Sequence, residues 1–296
     1  MMLTAGYNGR ALLPLRADVL VFAPHPDDET LGTAGVIMRS LAAGLRVHVV
    51  IVTNGDAYEE LLSLVLRKRP EELAPEDYLR SARIRQQEAF AAAAAIGLPP
   101  SCITFLAYPD AGLLPIYKAA DAGPFTSRFT GQRATYAALV PDYHRSRFGR
   151  PAAYTKACVL KDVTDLICTL QPRHIYMTNE ADRHPDHQAV GLFVREAAER
   201  AGFAGGLHTY LIHSGPVDDE QWPWPRGVTP TLPFEAHLYD GKRIPEGLPW
   251  PPQERMPLND REIGRKLQAI LAYRSQFPVD EELLLSFSKN EEIFWR

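Results

Sequence analysis

The sequence lacks the features that mark several large classes of protein. It has only three cysteines, Cys102, Cys158 and Cys168, without the CxxC spacing of a thiolate zinc site or the density of a disulfide framework. Its longest apolar run, at residues 89–98, is too short to cross a bilayer. Residues 1–16 do not show the basic, apolar and small-residue regions of a secretory signal. We therefore expect a cytoplasmic protein without a membrane span.

An excess of positive charge is also missing. The 32 lysines and arginines are outnumbered by 36 aspartates and glutamates, so the formal net charge is −4. A protein that binds a phosphate backbone needs a broad basic surface, and we expect no nucleic-acid partner. The 46% hydrophobic and 23% charged residues are ordinary for a globular protein. With 296 residues, the chain is expected to form one domain over residues 1–296 rather than two.

Apolar runs alternate with helix-like segments along the chain. An apolar run at 18–23, a polar turn, a helix-like stretch at 31–43 and a second apolar run at 47–52 together indicate a βαβ unit. The alternation continues with helices at 75–96, 156–170 and 187–201, and strands at 102–106, 174–177 and 207–212. This pattern predicts an α/β, Rossmann-like fold with an open, mostly parallel sheet and helices on both faces. A last helix at 259–273 is expected to precede a polar tail.

Two irregular stretches interrupt this alternation, at about 115–150 and 214–257. The first mixes glycine, proline, arginine and aromatic residues without a clear period, and the second is rich in proline and tryptophan. Long irregular segments in a compact protein are usually functional covers or disordered linkers. Because both are rich in aromatic residues, we expect ordered insertions that cover the functional site.

Histidines and aspartates follow two of the predicted strands. His25-Pro26-Asp27-Asp28-Glu29 lies where the first strand ends, which is the edge at which open α/β sheets bind ligands. Arg183-His184-Pro185-Asp186-His187 lies in a second loop between a strand and a helix. A His and an Asp three residues apart in a turn can face one divalent ion. The alternative is that these residues only cap helices, as Asp commonly does.

The two loops together predict a catalytic metal site. If His25, Asp28 and His187 bind the ion, three protein ligands leave one open position, as in catalytic zinc sites. Zinc lowers the pKa of a bound water molecule from about 15.7 to about 7, which favours hydrolysis of an amide or ester. The same donors accept iron, cobalt or manganese.

Two other metal or cofactor functions stay open at this point. Two histidines and one carboxylate also form the triad of non-haem Fe(II) oxygenases. The additional Asp27 favours hydrolysis, because a proton-accepting carboxylate beside a ligand has no obvious task in oxygen activation. A nucleotide-binding oxidoreductase is indicated only by the predicted sheet, since the sequence contains neither GxGxxG after the first strand nor GxxxxGK.

The HPDDE turn and the later HPDH resemble the PIG-L or LmbE-like family of metal-dependent de-N-acetylases. That family includes the deacetylases of N-acetylglucosaminyl-phosphatidylinositol and of the mycothiol and bacillithiol precursors. Further matching segments lie at 53–56, 85–97, 108–113 and 266–276. The resemblance covers most of the chain outside the two irregular stretches, and its motifs taken jointly are highly specific.

The resemblance implies a zinc-dependent hydrolase that removes an acetyl group from an N-acetylglucosamine-type conjugate or a related N-acyl substrate. It implies that His25, Asp28 and His187 bind the metal and that Asp27 is the general base that activates the metal-bound water. A small N-acetylated sugar conjugate is the implied partner. A non-catalytic carbohydrate-binding relative remains the alternative, although every expected catalytic residue is present in the sequence.

The resemblance also implies roles for five further residues. His184 would stabilise the oxyanion or protonate the leaving amine, and Asp186 would orient and charge a neighbouring imidazole. Arg85 and Asp110 match positions that hold glucosamine hydroxyls in sugar-processing relatives, and Arg183 is grouped with them as substrate-binding.

Some features depart from the family pattern or stay undecided. Some relatives have a tyrosine where this chain has Asp182, so no phenol-assisted step is expected. Glu29 is predicted to be a helix first-turn carboxylate without a catalytic role. His213 ends a predicted strand, and its role is left open. A homo-oligomer is compatible with the sequence, although no heptad or repeat predicts one.

Overall fold

The computed structural model describes residues 16–119, 123–216 and 219–296. Its strands are β1 Val19–Ala23, β2 Val47–Thr53, β3 Ile103–Tyr108, β4 His174–Thr178, β5 Gly206–Tyr210, β6 His237–Tyr239, β7 Lys242–Ile244, β8 Glu254–Pro257 and β9 Glu291–Phe294. Its α-helices are α1 Asp28–Ala42, α2 Glu59–Leu66, α3 Pro75–Ile96, α4 Leu113–Lys118, α5 Tyr143–Phe148, α6 Lys156–Leu170, α7 Pro185–Arg200, α8 Asp260–Ile270 and α9 Phe277–Ser286. Short 3₁₀ turns lie at Pro70–Glu72 and Pro100–Cys102.

The central sheet contains five parallel strands in the order β3-β2-β1-β4-β5. The first strand, β1, lies in the middle of the sheet, and the chain continues outward through β2 to β3 before it returns to β4 on the other side of β1. The strand order therefore reverses between β1 and β4, and the loops that follow these two strands open a crevice. The predicted α/β fold with an open parallel sheet is confirmed.

Helices cover both faces of this sheet, which explains why its inner strands β1 and β2 are buried and mostly apolar. Every residue of β1 and β2 is buried. Apolar side chains of α1, α3 and α8 pack on one face, and those of α6 and α7 pack on the other. A strand covered on both faces has no polar side, so its sequence is a continuous apolar run rather than an alternating one.

Two helices begin earlier than the periodicity predicts, and this changes the position of the motif residues. Helix α1 begins at Asp28 instead of residue 31, and α7 begins at Pro185 instead of residue 187. Asp28 and Asp186 therefore lie in first helical turns, where the helix dipole favours a negative charge. The apolar period starts later than the helix because the polar motif itself forms the first turn.

The two irregular stretches contain short elements of their own. The first includes α5 and part of α4, and the second contains the antiparallel pair β6–β7 together with β8, which pairs with β9. Residues 120–122 and 217–218, which belong to the predicted covers, lie outside the described residues.

The prediction of a polar C-terminal tail is wrong. Residues 277–286 form α9, and residues 291–294 form the buried strand β9. Glu292 of this segment is buried with its partners: it accepts a hydrogen bond from Lys266 at 2.8 Å and also accepts the backbone N–H groups of Gly35 and Val36. A buried charge is tolerated when it is paired and hydrogen-bonded in this way.

Within 16–119, 123–216 and 219–296, no helix has both the length and the apolar composition needed to cross a membrane. The expectation of one domain over residues 1–296 stays a prediction.

Candidate active site

Three side chains from the two motif loops meet at the crevice between β1 and β4. His25 Nδ1 lies 3.1 Å from His187 Nε2, and Asp28 Oδ2 lies 3.3 Å from each of these two nitrogens. A tetrahedral zinc ion with bonds of about 2.0 Å holds its ligand atoms roughly 3.3 Å apart. The three residues predicted as metal ligands are therefore brought into a triangle of suitable size, although 162 positions separate the two histidines.

Each histidine of the triangle has a carboxylate at its other ring nitrogen. His25 Nε2 lies 3.2 Å from Asp110 Oδ1, and His187 Nδ1 lies 3.2 Å from Asp182 Oδ2. Such carboxylates fix the orientation and tautomer of metal-binding imidazoles. Asp182 was not predicted as a site residue. The only expectation for this position concerned the tyrosine that some relatives have there. The sequence did contain an indication of this contact, because an acidic residue just before a histidine-containing turn can hydrogen-bond to an imidazole of that turn.

Asp186 contacts both an imidazole and the loop that follows β3. Its carboxylate accepts the backbone N–H groups of Ala111 and Leu113, at 2.7 and 2.9 Å. One of its oxygens lies 3.5 Å from His25 Nε2. Asp186 thus contacts a neighbouring imidazole, that of His25, and also joins the second motif to the loop after β3.

The carboxylates around the triangle stabilise positive charge there. Burial alone lowers the pKa of His187, but Asp28 and Asp182 outweigh burial and raise that pKa to about 10. Burial alone raises the pKa of Asp182, and His187 reverses this effect and lowers it to about 2. A divalent cation bound in this position would replace the protons that the carboxylates stabilise on the histidines.

Asp27 lies beside the triangle in a strained backbone conformation. Its φ is 140°, a value that residues with a side chain rarely adopt, and its N–H donates to Glu29 Oε2 at 3.1 Å. Its carboxylate accepts a hydrogen bond from Arg85 at 2.8 Å. Burial raises the pKa of Asp27 to about 8, against the opposing charge of Arg85. Backbone strain of this kind is typical of functional positions.

Arg85 holds Asp27 and the surrounding backbone. Its guanidinium donates to the carbonyl oxygens of Gly55, at 3.1 Å, and Pro26, at 2.7 Å. Gly55 has a φ of 60° and leaves no room for a Cβ beside the guanidinium. Among the described residues, none accepts a hydrogen bond from the buried Arg85 Nε. Arg85 lines the cavity, as expected of a substrate-binding residue, but most of its donors serve the protein itself.

Glu29 lies in the first turn of α1, as predicted, and it also supports the site. Its carboxylate accepts the Asp27 N–H and the hydroxyl groups of Thr30 and Tyr273. Burial raises the pKa of Glu29. Sequence patterns gave no indication of this contact, because Tyr273 lies 244 positions away.

Two further imidazoles lie next to the triangle. The His184 ring packs edge-on against His25, with centroids 4.8 Å apart, and its Nδ1 accepts the Asp186 N–H. Burial and the neighbouring histidines lower the pKa of His184 well below its usual value. His213 lies with its ring centroid 5.1 Å from that of His187, and its Nδ1 is 3.0 Å from Glu220. The structure therefore adds His213 to the site.

Arg183 forms the rim beside these imidazoles. Its guanidinium donates to Glu220 at 2.6 Å and to the carbonyl oxygen of Pro216 at 2.8 Å. Because Glu220 also contacts His213, one carboxylate joins a residue of the second motif to the loop after β5.

The cluster opens into a cavity of about 700 Å³. Its floor is formed by motif residues, and its walls come from α2, from the loop around residue 220 and from α9. Representative wall residues are Tyr58, Glu60, Glu220, Arg226, Val279 and Leu283. The second irregular stretch contributes to this wall as expected. The described part of the first stretch supplies none of the lining. Its Tyr136 donates to Asp56 in the loop after β2, and its His144 contacts Asp162 of α6.

The fold and the site together define a class of protein: an α/β enzyme with a His, Asp and His cluster at the switch point of its sheet and an additional carboxylate beside it. A family model described as PIG-L, GlcNAc-PI de-N-acetylase, matches residues 20–198. That range is more than half of the chain, and the chain belongs to this family. It is a hydrolytic N-deacetylase, and the oxygenase and oxidoreductase alternatives lose their support.

Individual relatives agree with this assignment. The chain is 27% identical over 241 residues to a 1D-myo-inositol 2-acetamido-2-deoxy-alpha-D-glucopyranoside deacetylase of Rhodococcus opacus (strain B4), which covers 77% of this chain and 69% of the relative. A solved N,N'-diacetylchitobiose deacetylase from Pyrococcus horikoshii is similar, with a TM-score of 0.54 and 19% identity over 94% of this chain and 83% of that one.

The same fold also occurs with another reaction. The 4-carboxy-2-hydroxymuconate hydratase from Pseudomonas putida KT2440 is similar with a TM-score of 0.51 and 16% identity, over 91% of this chain and 82% of that one. Similarity at this level of identity shows the fold alone. The reaction therefore has to be argued from the site.

Proposed function

We propose that this chain is a zinc-dependent deacetylase that hydrolyses the N-acetyl group of an N-acetylglucosamine-type conjugate, releasing acetate and a free amine. The observation that carries the proposal is the triangle of His25, Asp28 and His187 with the Asp27 carboxylate beside it. The family assignment and the activity named for the Rhodococcus relative support the type of substrate.

The donor set fits a divalent transition metal. Two imidazole nitrogens and one carboxylate oxygen are common zinc ligands, and both imidazoles have the carboxylate partners that metal-binding histidines usually have. A bound zinc ion would polarise the acetyl carbonyl and bring the pKa of a water molecule close to 7. Iron, cobalt and manganese suit the same donors, so we propose zinc as the usual ion rather than the exclusive one.

Asp27 is proposed as the general base. It accepts the proton that the attacking water loses, and its raised pKa lies near the pH at which a base works best. Arg85 keeps the carboxylate beside the triangle, and the Glu29 contact to the Asp27 N–H stabilises the strained backbone. Above a pH of about 8 the Asp27 carboxyl has lost its proton, and these contacts keep the resulting negative charge beside the triangle.

His184 is proposed to stabilise the oxyanion that forms at the acetyl carbonyl. Because its Nδ1 accepts the Asp186 N–H, its hydrogen is on Nε2 in the neutral ring, and that atom is a donor. The leaving amine also needs a proton. Besides His184, His213 is proposed as a donor of this proton, because its ring lies beside that of His187 and Glu220 orients its Nδ1.

Substrate selection is proposed to lie in the walls of the cavity. A volume of about 700 Å³ is within the usual range for small ligands and accommodates a sugar together with part of its aglycone. Asp110, Arg183 and Arg85 line this space and are the proposed contacts for polar groups of the substrate.

We also propose a cytoplasmic location, which the three free cysteines support.

The test is acetate release from a panel of N-acetylglucosamine conjugates by metal-reconstituted protein, with bound metal measured in the same sample. Asp27→Asn serves as the matched control, because it keeps the three ligands and removes the base. Acetate release that requires bound metal and Asp27 would support the proposal. A fully metal-loaded wild type that releases no acetate from any N-acetylated sugar would contradict it.

A further inference from the structure

A second pair of histidines lies on the neighbouring strands β4 and β5, away from the candidate active site. His174 is the first residue of β4, and His208 lies on the neighbouring strand β5. His174 Nδ1 is 3.0 Å from His208 Nε2. Neither residue takes part in the proposed hydrolysis. We propose that this pair binds a divalent transition-metal ion, separately from the His25 and His187 cluster.

The distance between the two nitrogens suits two neighbouring ligands of one ion. With bonds of about 2.0 Å, such ligands lie about 2.9 Å apart at a right angle and about 3.3 Å apart in a tetrahedron. Imidazole nitrogens favour zinc, copper and nickel over magnesium and calcium. The predicted ligand is therefore an ion of the first group.

His208 is held in the orientation that a ligand requires. Its Nδ1 lies 2.9 Å from Glu254 Oε2, and its ring stacks on Tyr176 with centroids 4.6 Å apart. Arg296 donates to the other oxygen of Glu254. The carboxylate places the hydrogen of the neutral ring on Nδ1, so the lone pair of Nε2 faces His174. Burial also lowers the pKa of His208, although Glu254 opposes this, and the neutral form is the one that binds metal.

Gly206 leaves space beside both nitrogens. A Cβ at this position would lie 2.7 Å from His208 Nε2 and 2.8 Å from His174 Nδ1. Any other residue would therefore place a carbon atom next to both donors. His174 is exposed, so solvent reaches the pair and water can complete the coordination.

An ion in this position would join three strands. His174 and His208 belong to β4 and β5, and Glu254 belongs to β8, which pairs with the C-terminal strand β9. A ligand that binds only the folded state stabilises it by mass action. We therefore expect the ion to raise Tm without changing the hydrolysis.

The experiment is a metal titration of the full chain, with Zn²⁺ or Ni²⁺ added in calorimetry and bound metal measured after dialysis. We expect the wild type to bind one equivalent more than His174→Ala, and Gly206→Ala to weaken that equivalent at least tenfold. Glu254→Gln is expected to weaken it about 10- to 100-fold. His237→Ala is the matched control, because it removes another partly exposed imidazole and leaves the pair intact.

Equal stoichiometry and affinity in the wild type and His174→Ala would overturn the proposal, as would loss of the equivalent in His237→Ala. Cu²⁺ bound with two nitrogen couplings in the electron paramagnetic resonance spectrum of the wild type, and with fewer in His174→Ala, would support it. Since the readout is bound metal and the variants lie away from the cavity, the result does not depend on whether the proposed deacetylation is correct.

Discussion

The two ends of the same sheet use charge in opposite ways. At the carboxyl ends, Asp27, Asp28 and Asp182 are buried, and Asp27 has a φ of 140°. At the amino ends, Asp18 pairs with the exposed Arg46 at 3.0 Å in ordinary backbone geometry. The difference teaches that the buried aspartates and the strained Asp27 lie where chemistry is proposed, whereas the Asp18–Arg46 pair at the opposite end mainly secures the fold. Variants at the two ends should therefore change different measurements.

The largest effect is expected for His187→Ala. Removing one of three ligands should abolish metal binding and reduce acetate release to background, as chelation should in the wild type. Metal analysis and an acetate assay measure both quantities. The control is His174→Ala at the amino end, which should keep full activity. Normal turnover in His187→Ala would remove the triangle from the mechanism.

Asp27→Asn should lower kcat by about 10²- to 10⁴-fold, the usual contribution of a positioned general base. Bound metal should stay at the wild-type level, because the three ligands remain. Steady-state kinetics and metal analysis of the same sample test this. A variant with the kcat of the wild type would show that Asp27 is not the base.

His184→Ala should lower kcat by about 10²- to 10³-fold, the usual cost of losing a preorganised oxyanion donor. Little change in KM is expected, because the oxyanion exists only in the transition state. Comparison with His213→Ala shows which of the two imidazoles has the larger effect on kcat. An effect confined to KM would place His184 in substrate binding instead.

Asp27→Gly should be more stable than Asp27→Ala by about 1 kcal/mol, because glycine adopts a positive φ without strain. Urea denaturation of both variants measures the difference. Asp18, which does not have a positive φ, supplies the control: there the glycine variant should be the less stable one. The same order at both positions would show that Asp27 is not strained.

Asp18→Asn should have the smallest effect, a decrease in Tm of about 2 °C or less, because exposed ion pairs are screened. The hydrogen bond from Arg46 lowers the pKa of Asp18 from 3.8 to about 2. A lowered carboxyl pKa stabilises the fold above pH 3.8, and that contribution is lost as the pH falls towards 2. Thermal unfolding of both proteins should therefore converge in this range, with wild-type activity retained in the variant at neutral pH.

Local patterns were sufficient for the sheet and for the three proposed ligands. The apolar runs of β1 and β2 show two-sided burial directly, and His25, Asp28 and His187 stand out because both motifs follow strands. The identity of the imidazole partners was not predictable. Asp182 and Glu220 are ordinary acidic residues in sequence, and their contacts depend on how the loops after β4 and β5 fold together.

The C-terminal segment shows the same limit. Its charges suggested a polar tail, but burial of the Lys266–Glu292 pair against α1 makes β9 part of the core and leaves α9 as a wall of the cavity. The sequence of residues 277–294 has no periodic pattern that indicates contacts with residues more than 200 positions away, such as those of Glu292 with Gly35 and Val36.

The order of residues by itself determined the strands, the position of the two motifs at strand ends and hence the donor types of the cluster, because these follow from burial and chain direction. Tertiary structure alone decided the separation of the donor atoms, the orientation of His213 by Glu220 and the shape of the cavity. These properties depend on contacts between segments that are distant in sequence, and such contacts form only when the whole chain has folded.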